Sequence, residues 1–315
     1  MKILVTGGAG FIGSHTCESL LKKGHEVVCV DNLDPYYDVS LKEGNLDILR
    51  DYDSFEFVKG DIRDENLVNK LVEGVDAVNH QAAQAGVRVS VENSLKPHEI
   101  NTGGTLNLLE AARKHDVKHF LFASSSSVYG KSPELPFEEN AKKLPVSPYG
   151  VSKLSAENYV RVYNEIHGIP TVSLRYFTVY GPRMRPDLAI SIFTENAMNN
   201  EEIEIFGDGN QTRDFTYIKD IINAQNLCLE KRIGNGESFN IGSGERININ
   251  QLAEKIIELT NSKSKIVNSD PRKGDARHTW ADVSKTKKKL GWVANYNLEK
   301  GLKKYIRWGK GNKLW

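Results

Sequence analysis

From Ile3 to Leu174 the sequence alternates short apolar runs with helix-patterned stretches, and that rhythm limits the folds open to the chain. The runs are Ile3-Leu4-Val5, Val27-Val28-Cys29-Val30, Phe55-Glu56-Phe57-Val58, Ala77-Val78, Phe120-Leu121-Phe122-Ala123 and Thr171-Val172-Ser173-Leu174. Helical patterns lie between them, one ending near Lys23 and another covering about Leu67 to Val72. Two longer ones run from about Glu99 to Lys114 and from about Tyr149 to His167. Short apolar runs bounded by helices mark strands covered on both faces and joined by crossover helices. The expected fold is α/β, a doubly wound parallel sheet. After about Arg175 the rhythm changes, and Pro182, Pro186, Gly207, Gly209, Gly242 and Gly244 divide the chain into shorter pieces. Helices are expected near 189–199, 220–231, 250–260 and 298–308. We expect residues 1–175 plus 213–243 to form the sheet domain, and 176–212 plus 244–315 a smaller mixed α/β domain closing over it.

Charge excludes some classes of partner. The 315 residues carry 42 Lys and Arg against 41 Asp and Glu, a net charge of +1. That balance supplies no field to attract a nucleic-acid backbone or an anionic membrane, although a local basic pocket for a small charged molecule stays open. Cys17, Cys29 and Cys228 lack metal-ligand spacing and cannot all pair within the chain, so free buried thiols in a reducing cytoplasm are expected. The first apolar run is too short for a signal peptide, and no run approaches membrane-spanning length.

Gly7, Gly10 and Gly13 sit in Thr6-Gly7-Gly8-Ala9-Gly10-Phe11-Ile12-Gly13, directly after the first strand and opening the first helix. Glycines there allow a tight turn, let the backbone approach a pyrophosphate and let the helix pack on the strand. The helix start offers amide N–H groups and a positive dipole end to phosphates. Asp31 ends the second strand, where a carboxylate can accept both adenosine-ribose hydroxyls and repel a 2′-phosphate. NAD is therefore expected rather than NADP. Asp61, after the third strand, either reaches the adenine or caps a helix. Tyr149 and Lys153 stand four residues apart on one helical face. A phenol of pKa about 10 becomes a usable base when an ammonium and a positive nicotinamide ring favour its phenolate. Lys153 can also hold the nicotinamide ribose. Ser124 to Ser127 follow a strand at the carboxyl edge, where open sheets bind ligands.

The glycine spacing is Gly-x-x-Gly-x-x-Gly, and with it the chain resembles the extended short-chain dehydrogenase/reductase family of nucleotide-sugar epimerases and dehydratases. The likeness continues through Asp31-Asn32, Gly60-Asp61, His80-Gln81-Ala82-Ala83-Gln84, Val128-Tyr129-Gly130 and Tyr149-x-x-x-Lys153. It extends to Tyr180-Gly181-Pro182-Arg183, Gly207-Asp208-Gly209, Arg213-Asp214-Phe215 and Gly274-Asp275-Ala276-Arg277. Gln81 departs from the apolar residue usual there, and no function attaches to it. The resemblance implies a Rossmann fold and a catalytic set of Ser125, Tyr149 and Lys153. It assigns tightly bound NAD to Gly7, Gly10, Phe11, Ile12, Gly13, Asp31 and Asn32, then Asp61, Ile62, Ala82, Ala83 and Gln84, and finally Tyr149, Lys153 and Tyr176. A UDP-sugar would meet Arg88, Ser125, Ser126, Ser127, Tyr149, Thr178, Arg185, Arg213 and Arg277. Each arginine has a surface salt bridge as its alternative. A homodimer through the two long helices, 99–114 and 149–167, is also implied.

Related dehydratases carry an Asp-Glu pair after the catalytic threonine, and related decarboxylases a Glu at the position of Ser127. Serines there cannot do general acid–base work at neutral pH, so 4-epimerisation by C4 oxidation, rotation of the keto sugar and re-reduction is the expected cycle. Thr178 with Arg185-Pro186-Asp187, Gly86-Val87-Arg88 and Thr279-Trp280-Ala281-Asp282 resembles the UDP-glucuronate 4-epimerases. A β-keto acid at C4 loses CO2 when its carboxylate bond aligns with the carbonyl, so Ser126, Ser127 and Thr178 are expected to fix that carboxylate. The near alternative is a UDP-glucose or UDP-N-acetylglucosamine 4-epimerase with a neutral sugar pocket. A more distant one is a non-enzymatic NAD-sensing regulator, which would have no use for the serine, tyrosine and lysine in register.

Overall fold

A computed structural model of the chain describes residues 1–270, 276–312 and 314. The first six strands are β1 (Lys2–Thr6), β2 (Glu26–Asp31), β3 (Phe55–Lys59), β4 (Ala77–His80), β5 (His119–Ser125) and β6 (Thr171–Tyr176). The later ones are β7 (Thr178–Tyr180), β8 (Ile203–Phe206), β9 (Thr212–Arg213), β10 (Phe215–Tyr217), β11 (Asn235–Ile241), β12 (Ile247–Asn248) and β13 (Ile266–Ser269). Seven of them form a parallel sheet in the order β11-β6-β5-β4-β1-β2-β3. The chain winds outward from β1 through β2 and β3, then returns to lay β4 on the other side of β1. The carboxyl ends of β1 and β4 are therefore the switch point where such sheets open a crevice.

Side-chain alternation explains why both faces are covered. Ile3 and Val5 join an apolar cluster with Cys17, Leu20, Cys29 and Leu46, whereas Leu4 joins Val28, Leu108, Phe120, Phe122 and Val160. Successive strand residues thus feed opposite layers. Helix Phe11–Lys22 packs against Ile218–Glu230, and Glu65–Val72 packs against Gly104–Lys114, which in turn meets Pro148–His167. That last helix is sharply bounded: the Ser147 side chain accepts from Gly150 N, Pro148 opens the first turn and Gly168 ends it at φ +68°.

The sequence-predicted strands and helices are present, with differences that have local causes. The helix expected from Glu99 opens as a π-helical stretch, His98–Gly103, before its α-helical part. Helices Val39–Arg50 and Ser284–Leu290 and strand β11 carried too little apolar periodicity to be marked. Beyond β6, three two-stranded pairs form: β7 with β10, β9 with β12 and β8 with β13. They set out Thr178 and Arg213. Their apolar side chains continue the cluster that holds Leu121, Val172 and Leu174 of the main sheet, through Phe193 and Ile203 to Leu252 and Leu302. The three cysteines are free and buried. Among the described residues no helix is long and apolar enough to cross a membrane.

Candidate active site

The three glycines have three different reasons to be glycine. Gly7 turns at φ +68°, and a Cβ there would stand 2.7 Å from the Ala82 backbone in the segment after β4. A Cβ on Gly13 would lie 2.1 Å from Gly7 O, so the helix can approach the turn only without one. Gly10 meets nothing closer than Gly7 O at 3.3 Å, leaving its outer face free for a ligand to approach. It also begins the helix Phe11–Lys22 with no side chain capping the first amides. That cradle and uncapped helix start fit a dinucleotide pyrophosphate. Gly8 is constrained from below, where the Cys29 and Cys17 sulfurs would stand 2.4 and 3.1 Å from its Cβ.

Asp31 lies at the end of β2 and is 7% exposed. Its carboxylate accepts from Leu33 N at 2.8 Å and Ala9 N at 3.2 Å, and from Lys42 Nζ at 3.4 Å. Lys42 is buried over the Tyr37 ring. Sequence reasoning had no signal for Lys42, which lies in the helix that periodicity did not reveal. Asp61 is not a helix cap: Asp64 caps Glu65–Val72. Asp61 instead accepts from Arg63 and from Asn32 Nδ2 at 3.0 Å, and Arg63 foremost pulls its carboxyl down to about 2. Ile62 is buried against Gly104.

The segment after β4 is anchored from beneath. His80, fully buried and held neutral by desolvation, links Thr6 Oγ1 and Thr105 Oγ1 at 2.7 and 2.9 Å. Thr6 Oγ1 accepts from Ala82 N, fixing the strand exit beside Ala83. Gln84 N donates to Asn101 Oδ1, while Asn101 Nδ2 donates to Ser152 Oγ on the Pro148–His167 helix. Gln81 now has a structural role: with Gln225 it donates to the Tyr176 hydroxyl, at 3.3 and 3.0 Å.

Ser125 ends β5 and pairs in register with Tyr176 on β6. Its Oγ accepts from Ser127 N at 3.1 Å, closing the short turn Ser126–Val128. Tyr149 stands half-buried at the start of its helix. Burial pushes its phenol up, against the opposing effects of a hydrogen bond with Ser125 and the positive field of Arg185. Lys153 is 3% exposed, donates to Ala123 O at 2.8 Å and lies over the Phe122 ring. Desolvation lowers its ammonium to about 7. The expected downward pull of Lys153 on Tyr149 is thus not what the protein's own groups produce, because burial penalises both charged forms.

The substrate candidates divide. Thr178 is half-buried on β7. Arg185 binds Asp187 through two bonds of 2.8 and 2.9 Å, and Tyr36 donates to the same carboxylate at 3.0 Å. Arg88 is exposed and lies over the Phe206 ring. Arg213 and Arg277 form a separate group: Arg213 Nη1 donates to Arg277 O, and the exposed Arg277 guanidinium faces Asp208 at 3.5 Å. A cavity of about 530 Å³ is lined by Arg213, Phe215, Arg246, Lys255 and Leu298 among others, but not by Tyr149 or the serines. Asp214 of the Arg213-Asp214-Phe215 motif is fully buried and accepts from Ser243, Gly244 and Ala281 N–H groups, a fastening between segments. Trp280 likewise donates to Gly244 O. Gly274 and Asp275 lie outside the described residues.

Residues 4–305 match the family described as GDP-mannose 4,6 dehydratase. A UDP-glucuronate 4-epimerase of Thermodesulfobacterium geofontis is 43% identical over 314 residues, covering 98% of this chain and 96% of its own. A solved UDP-glucuronic acid 4-epimerase from Bacillus cereus, in complex with UDP-glucuronic acid and NAD, superposes with a TM-score of 0.94 at 39% identity over 100% of both chains. A UDP-glucose 4-epimerase from Thermotoga maritima with UDP-glucose gives 0.92 at 38% identity, over 99% of this chain and 100% of the other.

Proposed function

Since this chain belongs to the extended short-chain dehydrogenase/reductase family typified by GDP-mannose 4,6-dehydratase, we propose that it is an NAD-dependent UDP-sugar 4-epimerase that interconverts UDP-glucuronate and UDP-galacturonate. The observation that carries the reaction class is the meeting of Tyr149 with Ser125 at the end of β5, in a turn lined by hydroxyls and free of carboxylates. Such a site can move one proton at a sugar hydroxyl. Among the described residues that turn offers no carboxylic acid to expel a neighbouring one.

The glycine turn and Asp31 would hold NAD, which when bound would accept the two electrons of the C4 hydride and return them to the keto sugar within the same turnover. Ser125 orients the 4-hydroxyl, and Tyr149 removes its proton as the C4 hydride leaves. Lys153 would hold the nicotinamide ribose, and the field of Arg185 together with the charge of a bound nicotinamide would pull the phenol down against its burial. The keto sugar turns about its diphosphate linkage and presents its other face, and Tyr149 returns the proton. Ser126, Ser127 and Thr178 fix the C5 carboxylate against CO2 loss. Arg88, Arg185, Arg213 and Arg277 take the diphosphate and nucleotide. Residues 1–175 plus 213–243 then form the cofactor side, and 176–212 plus 244–315 the sugar side.

Separate incubations with UDP-glucuronate and UDP-glucose, resolved by chromatography, test the substrate. Conversion of UDP-glucose alone would transfer the assignment to the neutral sugar, the reading favoured by the Thermotoga maritima likeness. Ser126→Ala or Thr178→Ala should raise UDP-pentose by-products, and unchanged product ratios would remove the carboxylate-fixing role. Exposed Val151, Tyr159 and Ile166 on one helix, with Val91 and Leu95 nearby in sequence to its neighbour, support a homodimer through the two long helices. Three unpaired buried thiols accord with a reducing compartment, and we place the enzyme in the cytoplasm.

A further inference from the structure

Helix Pro148–His167 presents Tyr149, Lys153 and Glu157 at intervals of four, in one stripe facing β5. Each is tied to the end of that strand. Tyr149 meets Ser125, Lys153 Nζ donates to Ala123 O at 2.8 Å, and Ser124 Oγ donates to Glu157 Oε2 at 2.5 Å. The first two belong to the reactive centre, and the third has no part in the chemistry proposed above.

Glu157 is 6% exposed and Arg175 4%, and they face each other as a buried ion pair in which each favours the charged form of the other. Arg175 Nη2 donates to Glu157 Oε1 at 2.5 Å, and its Nε to both carboxylate oxygens at 3.0 and 3.2 Å. Ser238 Oγ adds a further bond at 3.0 Å. Burial works against the carboxylate, but the guanidinium and the two hydroxyls hold its pKa below the ordinary value. Arg175 lies on β6 in register with Ser124, and its Nη1 donates to Tyr129 OH at 2.7 Å. Tyr129 in turn donates to Asn240 Oδ1 on β11 at 2.6 Å. One connected set of polar groups therefore joins the helix, three strands and the turn that follows Ser125.

We propose that Glu157 and Arg175 are a positioning pair that sets the height and rotation of this helix against β5, and so places Tyr149 and Lys153 at Ser125. Apolar packing alone is non-directional and would hold the helix at several neighbouring registers. A fork of charge-assisted bonds accepts only one. Buried ion pairs of this kind add little net stability over apolar residues of the same shape, so a positional role accounts for the pair better than a stabilising one.

The test compares Glu157→Asp, which keeps the charge but shortens its reach by one methylene, with Ser124→Ala, which removes only the link to β5. Both are assayed beside Tyr149→Phe, since the inference rests on Tyr149 as the acid–base group. A misplacement near 1 Å should lower kcat about 10- to 100-fold in Glu157→Asp and about 3- to 10-fold in Ser124→Ala. KM for UDP-glucuronate and the amount of bound NAD should not change. The acid limb of the kcat–pH profile should move to higher pH, because a phenolate that loses the Ser125 hydrogen bond is harder to form. If Glu157→Asp gives no folded protein, Ser124→Ala decides alone. Wild-type kcat and pH profile in the variants, or a loss that follows only the fraction folded, would overturn the positioning pair. Full turnover by Tyr149→Phe would instead overturn the underlying reading.

Discussion

Replacing Lys153 with methionine should make the protein more stable while abolishing turnover. The ammonium is 3% exposed, bonded to Ala123 O and set over Phe122, and burial brings it from 10.5 to about 7. At about 1.4 kcal/mol per tenfold, that difference represents roughly 4 kcal/mol at neutral pH, where the unfolded chain holds the proton and the folded one only half of it. Methionine fills similar space without a charge but abandons the Ala123 carbonyl, a loss of about 1–2 kcal/mol. A net gain of roughly 2–3 kcal/mol remains, about 3–5 °C in Tm for a chain of 315 residues. Because the folded pKa lies below the unfolded one, the unfolded chain binds more protons between about pH 7 and 10.5. Wild-type stability should therefore rise with pH across that window, and the advantage of the variant should shrink. Thermal unfolding of both proteins, stripped of dinucleotide, at about pH 7 and about pH 9.5 is the measurement. A variant no more stable at pH 7, or a pH-independent difference, would show that Lys153 is not penalised by burial.

Asp31→Ser should narrow the preference for NADH over NADPH at least about tenfold, since Lys42 would remain beside the ribose without its carboxylate; an unchanged ratio in fluorescence titrations would contradict this. Gly13→Ala, with its Cβ driven onto Gly7 O, should cost about 2 kcal/mol or more and yield protein without bound NAD, and a full complement of dinucleotide would refute the close-packing argument. Ile166→Glu, at a position 69% exposed on the proposed dimer face, should give a monomer by light scattering; a persistent dimer would place the interface elsewhere.

What could be read from the sequence was local. Gly7 to Gly13, Asp31 and the pair Tyr149 and Lys153 are close in sequence or fall at the ends of apolar runs, so spacing alone placed them on turns, strand ends and one helix face. The missed groups depend on distant partners. Glu157 and Arg175 look like ordinary surface residues until β6 and the helix are side by side, and nothing near either marks it as buried. Gln81 donates to Asn79 two residues before it and also to Tyr176, and the second partner lies in a strand two places away in the sheet. Strand β11 begins with Asn235, Gly236, Glu237 and Ser238, residues poor in strand preference, and pairing with β6 overrides that preference. The expected effect of Lys153 on Tyr149 failed for a related reason: sequence conveys proximity, whereas burial emerges only from packing.

The place of β11 in the sheet also bears on how the chain is made. Strand β6 is complete at Tyr176, but its outer neighbour begins only at Asn235. At about 5–20 residues per second, a ribosome takes roughly 3–12 s to supply the intervening segment. Throughout that interval β6 is the open margin of the growing sheet, with unpaired N–H and C=O groups along one side. The nascent chain must keep that margin from other strands in the cell before its own strand arrives, so synthesis slowed between Tyr176 and Asn235 is where aggregation would start.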